Sequence, residues 1–201
     1  MFRLMLTALA FVLTAFQYRT EAPCWSPLPG YEIKFDGTGA TGTFSNLSGS
    51  ICFDGANPQN GSIDVTVDAA SIKTGNSVKD KHARSDDWLH AAKYKTIRIK
   101  STSFSKSAGN YVMQAQLTLH GVTRNISIPF SFENKNGVPL FTGTFSVNRK
   151  DYGIEGPLMS FTVGDRFDIS IQVPVAPKTQ GRVNSLMPNA PAHTTGVMPG
   201  R

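Results

Sequence analysis

Residues 113–132 read MQAQLTLHGVTRNISIPFSF, and this stretch decides the fold. Met113, Ala115, Leu117 and Leu119 alternate with Gln114, Gln116, Thr118 and His120. After the tight corner His120-Gly121-Val122 the alternation resumes: Ile126, Ile128, Phe130 and Phe132 face off against Asn125, Ser127, Pro129 and Ser131. Successive side chains on a strand point to opposite faces, so each segment has one apolar and one wet face. Antiparallel sheets produce that pattern; parallel sheets buried on both faces do not.

The same period of two extends outward on both sides. Upstream it runs through Ile63, Val65 and Val67, then Ile97 and Ile99. Downstream it runs through Phe141, Phe145 and Val147, then Phe167, Ile169, Ile171 and Val173. Short turn segments connect the runs: Ser107–Asn110, and Asn134–Gly137, whose Asn-Gly supplies positive φ. Short loops favour neighbouring antiparallel strands. Eight strands are expected, near 31–37, 40–54 (bent at Asn46–Gly49), 62–70, 95–105, 111–120, 122–133, 139–149 and 164–175. Phe104 falls out of phase with Ile97 and Ile99, so it points outward or sits beyond a bulge.

Residues 71–94 break the rhythm. Ser85 before Asp86-Asp87 resembles an N-cap, with Trp88–Lys93 continuing a short helix and Asn76–Arg84 adding a turn or two. The expected architecture is all-β: an eight-stranded antiparallel barrel or flattened sandwich, with one helical insertion between the third and fourth strands. An apolar bore either fills itself with side chains or leaves a slot for one apolar ligand.

Composition bounds the function. The 201 residues suit one domain with flexible ends, and 40% apolar content suffices for a sizeable core. The net charge of +6 suggests nucleic acid, but five of the 20 cations, Arg3, Arg19, Lys178, Arg182 and Arg201, lie at the ends with Glu21. The body keeps 15 basic and 13 acidic residues, too balanced for a phosphate-binding groove, so no nucleic-acid partner is expected. Arg3 followed by the 13 mostly apolar residues Leu4–Phe16 reads as an export signal, too short to span a bilayer. The domain plan is therefore a signal over 1–22 with an unclear cleavage point, a barrel over 23–176, and a disordered Pro- and Gly-containing tail over 177–201. Export to the periplasm or medium makes pairing of Cys24 with Cys52 plausible; two free thiols are the alternative.

No constellation of catalytic groups is evident. His82 and His90 fall eight apart in the insertion without a third ligand, and His120 sits at a turn. Neither cysteine has a neighbouring base, and no Gly-x-Ser-x-Gly elbow, phosphate loop or dinucleotide fingerprint occurs. The expectation is no enzyme, no catalytic residue, no metal and no cofactor.

Three segments are recognisable together. Ser71–Asn76, Lys79–His82, Asp87–Leu89 and Lys93–Ile97 resemble the central signature of the YceI-like family. Leu117–Arg124 resembles its later signature, and Asn148–Ile154 a third, in the same order across residues 31–175. The resemblance implies a lipocalin-like antiparallel barrel, exported, holding a long amphiphile of polyisoprenoid or quinone-like type without catalysis. Lys79 replaces the family's usual Arg, Ala83 a larger apolar residue, and Lys95 a common Pro, all around the insertion.

The apolar phases then nominate a ligand lining: Phe35, Phe44, Ile51, Phe53, Val65, Val67, Trp88, Ile99, Leu117, Leu119, Ile128, Phe130, Phe145, Ile169 and Ile171. Trp88 is placed as a lid or as an end plug. Lys73, Lys79, Lys81 and Arg84 either meet an anionic headgroup or form a solvated face. Arg149 and Asp151 are expected to form an ion pair. One CH₂ buried contributes about 0.8 kcal/mol, so a five-carbon unit offers roughly 3–4 kcal/mol against an association cost of about 4–15 kcal/mol. A long chain is therefore expected rather than a small terpene. The expected partner is a long-chain amphiphilic lipid, with transient membrane contact; oligomeric state, a dimer included, is left open. The competing readings are a structural β-module with a packed core and a hydrolase using His82 or His90.

Overall fold

The computed structural model describes residues 21–107, 109–157 and 162–178. Residues 1–20 of the expected 1–22 signal, and the tail beyond residue 178, lie outside the described residues. Ten hydrogen-bonded strands form one sheet: β1 (Cys24–Pro27), β2 (Glu32–Gly37), β3 (Ala40–Phe44), β4 (Ser48–Cys52), β5 (Ser62–Asp68), β6 (Thr96–Ser107), β7 (Asn110–Leu119), β8 (Val122–Lys135), β9 (Val138–Asn148) and β10 (Arg166–Pro177). All neighbours are antiparallel, and β10 returns to β2, which closes the barrel.

The wall has eight positions. β3 and β4 are the two halves of the bent 40–54 ribbon; the first half pairs with β2 and the second with β5. Asn46 at the bend has φ 60, a conformation Asn tolerates. β1 fills the remaining seam, pairing with both β4 and β10. Its register sets Cys24 opposite Cys52, and the two form a disulfide, which settles that open alternative.

Of the two readings of the Phe104 phase, outward or beyond a bulge, the structure shows the bulge on β6. Register shifts between Ser101 and Ser103, after which Phe104 turns inward and is buried.

The helix begins earlier than the sequence signals suggest. Helix α1 spans Ser77–Arg84, and its cap is Asn76, whose side chain accepts from the amides of Val78 and Lys79. Ser85 ends that helix: its amide and hydroxyl both donate to the His82 carbonyl. Residues 86–93 form turns, not a second helix. Asn caps as well as Ser, and its carbonyl reaches two amides here; the Asp86-Asp87 pair has no helix to begin.

The barrel's ends differ. In an antiparallel meander, chain ends alternate, so the last residues of β4, β6, β8 and β10 share one end with the starts of β7 and β9. Aromatics gather there. Phe53 is 0% exposed and contacts the rings of Tyr111, Phe130, Phe104, Phe132 and Phe141 at centroid distances of 5.0–5.8 Å. Offset and edge-on aromatic pairs stabilise beyond their buried area. This end is plugged. The insertion joins β5 to β6 at the opposite end.

Candidate functional site

Between the plug and the insertion lies an apolar cavity of about 650 Å³. Its wall is the inward phase of the barrel. β2 supplies Ile33 and Phe35, β5 supplies Ile63, Val65 and Val67, and β6 supplies Ile97 and Ile99. β7 and β8 add Met113, Leu117, Leu119, Ile128 and Phe130. β9 and β10 add Phe141, Phe145, Val147, Phe167, Ile169, Ile171 and Val173. The volume falls within the usual span of small-molecule pockets, about 300–1,000 Å³.

Of the residues nominated from sequence, Phe35, Phe44, Ile51, Val65, Val67, Trp88, Ile99, Leu117, Leu119, Ile128, Phe130, Phe145, Ile169 and Ile171 all border this space. Phe53 does not. It follows β4 at the plugged end, where five rings enclose it, so it is core and not wall. Sequence reasoning missed the in-phase residues Ile33, Ile97, Met113, Phe141 and Val173, for which alternation alone was a sufficient signal. It also missed Ile72, Ile154, Pro157 and Val163, which reach the cavity from loops and carry no periodicity.

The mouth is built by long-range contacts. Lys73 pairs with Thr43 in an isolated antiparallel bridge, two backbone bonds of 2.8 and 2.9 Å that draw the insertion onto β3. Only glycine suits position 42, because a Cβ there would meet the Lys73 carbonyl at 2.1 Å. Asp80 then locks the helix to this segment. It is 4% exposed, and its Oδ1 accepts from the Thr74 amide at 2.7 Å and the Thr74 hydroxyl at 2.8 Å. Lys73 Nζ and Arg84 Nη2 each lie 3.7 Å from Oδ2. The Thr74 hydrogen bonds, backbone before side chain, hold the Asp80 carboxyl below its ordinary value, and the two cations add to this.

The opposite rim is organised by Arg149. Its partner is Asp165, at 2.9 Å, and not Asp151 as the sequence suggested. Arg149 is 6% exposed; it donates to the carbonyls of Gly164 (3.2 Å), Ile154 (2.6 Å) and Glu155. Asp151 is exposed, its backbone carbonyl accepting from Arg124. The short 3₁₀ turn Arg149–Tyr152 turns the Asp151 side chain away from its neighbour but one. Lys150 also reaches Asp165, at 2.8 Å, and lowers the Asp165 pKa. Trp88 lies over the Arg149 guanidinium, 5.3 Å from ring to carbon, and borders the cavity. It bridges the insertion to the opposite rim.

His120, in the left-handed region with φ 52, packs its ring on Tyr94 at 4.5 Å and meets the Tyr152 carbonyl at 3.1 Å. It ties the β7–β8 corner, the insertion and the Arg149 turn together. Its role is to hold the mouth, which explains why all three signature segments converge here. His82 borders the cavity mouth, whereas His90 packs against Tyr94 and lies 3.8 Å from Asp86. The two are not brought into one site, and among the described residues no cluster of three His, Cys, Asp or Glu is positioned to hold a metal.

The YceI-like domain model matches residues 31–175. The chain belongs to the YceI-like family. A UPF0312 protein of Photorhabdus laumondii is 35% identical over 165 residues, covering 76% of this chain and 86% of that protein. A UPF0312 protein of Pseudomonas savastanoi is 38% identical over 124 residues, or 58% of this chain. The match spans 64% of that relative's length, a little under two thirds. Among solved structures, BcnA of Burkholderia cenocepacia superposes with a TM-score of 0.68 at 20% identity, covering 73% of this chain and 96% of BcnA. A polyisoprenoid-binding domain of Saccharophagus degradans superposes at 0.58 with 15% identity, covering 79% of this chain and all of that domain. These two likenesses bear on the fold. The closed antiparallel barrel with one helix is common to the YceI-like family and this chain.

Proposed function

We propose that the barrel holds one long-chain amphiphile, a polyisoprenoid or quinone-like lipid, and carries or sequesters it without chemically changing it. The observation that carries this reading is the hollow bore: about 650 Å³, apolar along its length, plugged at one end and opening beneath the insertion. At roughly 30 Å³ per heavy atom it accommodates about 20 carbons, or four isoprene units. Four units contribute on the order of 12–16 kcal/mol gross, enough to exceed the association cost; one unit is not. A packed structural module would leave no such space. The polyisoprenoid-binding description of the Saccharophagus domain supports the same ligand class.

Export to the periplasm or medium accords with the Cys24–Cys52 disulfide, since such bonds persist in oxidising compartments. Transient contact with an anionic membrane accords with the charge distribution. Residues 71–95, at the mouth, hold six basic and three acidic residues, whereas the rest of the body holds nine basic and ten acidic. Native mass spectrometry of protein purified from its host tests the proposal. An added apolar mass released by organic solvent is expected; repeated recovery of the bare chain, with no uptake of added long-chain lipid, refutes it.

A further inference from the structure

We infer that the amphiphile carries one compact anionic headgroup, a carboxylate or a phosphate monoester, seated beside Lys79. This rests on the reading that the bore holds a long-chain amphiphile, and it narrows the ligand class from there.

The cavity's charged lining has one sign. Among the described residues, Lys79 and Arg149 border it together with the imidazole of His82, and no Asp or Glu does. Arg149 is neutralised by Asp165 and three carbonyls. Lys73 and Arg84 are directed at Asp80, whose own oxygens are held by Thr74 and these cations. Lys79 differs: among the described residues, no carboxylate lies within ion-pair distance of it. His82 follows one helical turn later on the same side of α1 and borders the same mouth.

Lys79 also marks a chemical boundary. Beside the apolar cavity lies a smaller recess of about 200 Å³, walled by Gly37, Gly39, Ala40, Thr41, Thr74 and Lys79. Gly39, Ala40, Thr74 and Lys79 belong to both spaces. A tail in the bore therefore delivers its polar end to this recess. At roughly 30 Å³ per heavy atom the recess holds six or seven atoms. A carboxylate or monophosphate fits within it. An anion at the edge of an apolar bore is stabilised by a cationic partner; a charge-assisted hydrogen bond from Lys79 supplies one, and a ring N–H of His82 adds a further donor.

The test measures displacement of a fluorescent fatty acid by geranylgeraniol, geranylgeranoic acid and geranylgeranyl monophosphate, which share one tail. At least one acid is expected to bind ~10-fold or more tighter than the alcohol, and the tighter of the two identifies the headgroup. Lys79→Gln should narrow this ratio to within about threefold, Lys79→Glu should invert it, and Lys79→Arg should keep it. Equal binding of alcohol and acids by the unmodified protein overturns the inference, whether or not the variants fold. So does a ratio that survives in folded Lys79→Gln. Binding of the alcohol without preference leaves the lipid reading intact, whereas failure of all three to bind removes both.

Discussion

Substituting Val67→Phe probes the hollow bore directly. Val67 lies on β5 opposite Ile97, 9% exposed, with its side chain on the cavity wall. The change adds four ring carbons with no net hydrogens and removes about 50 Å³. That is less than about a tenth of the ~650 Å³ available. A four-unit chain then loses room for about two carbons, or roughly 1.6 kcal/mol at about 0.8 kcal/mol per CH₂. An affinity loss of about tenfold follows, with about threefold as a floor if the displaced carbons lie along the mouth instead. Farnesol, one unit shorter, should lose much less than geranylgeraniol. Stability moves the other way. In an empty bore the added ring fills space, so the thermal midpoint should hold or rise; in a packed core the same change would cost about 1–3 kcal/mol. Displacement titrations of both alcohols, with thermal melts of the ligand-free protein, make the measurement. Unchanged affinity for both alcohols, or a midpoint lowered by overpacking, would refute the argument.

Phe145→Arg should abolish uptake of a fluorescent long-chain lipid in folded protein, because a guanidinium in the bore lacks a carboxylate partner. Phe53→Ala should cost about 3–5 kcal/mol in urea unfolding, since its ring is enclosed by five others. Replacing Cys24 and Cys52 by Ser should cost about 3–4 kcal/mol by loop entropy, given their sequence separation of 28; a denaturation midpoint unaffected by reductant contradicts this. The depressed Asp80 pKa contributes stability that is fully present above its unfolded value of 3.8 and is lost as pH falls through the lower folded value. Asp80→Asn should therefore lower the thermal midpoint near neutrality and flatten its decline below about pH 4; Asp54, Asp64, Asp165 and Asp168, also depressed, retain their own share of that decline. An unaltered acid profile in the Asn variant contradicts the role of Asp80.

The wall of the barrel was legible because a strand's two faces are written in adjacent residues. Ile128 and Phe130 announce an inner face wherever the strand ends up. Phe53 shows the limit of that reading. Its phase points inward like that of Ile51, yet depth along the bore decides whether an inward ring is plug or wall. Arg149 shows another: Asp151 was near in sequence, but the 3₁₀ turn and the returning 162–165 segment brought Asp165 to it instead. The helix start illustrates competition between signals. Ser85 and Asn76 are both good caps, and the Asp80–Thr74 contact favours the earlier one.

Alternation, turn chemistry and the interruption at 71–94 are local properties of the chain, and they determined an antiparallel β-architecture with one insertion. The tertiary structure decided which ribbons meet across the seam, that Cys24 faces Cys52, which end is plugged by aromatics, and that Lys79 borders both apolar and polar space. Each of these depends on where residues far apart in the chain arrive. Periodicity specifies a side chain's face, but whether the space before that face is filled or hollow depends on the curvature of the closed sheet.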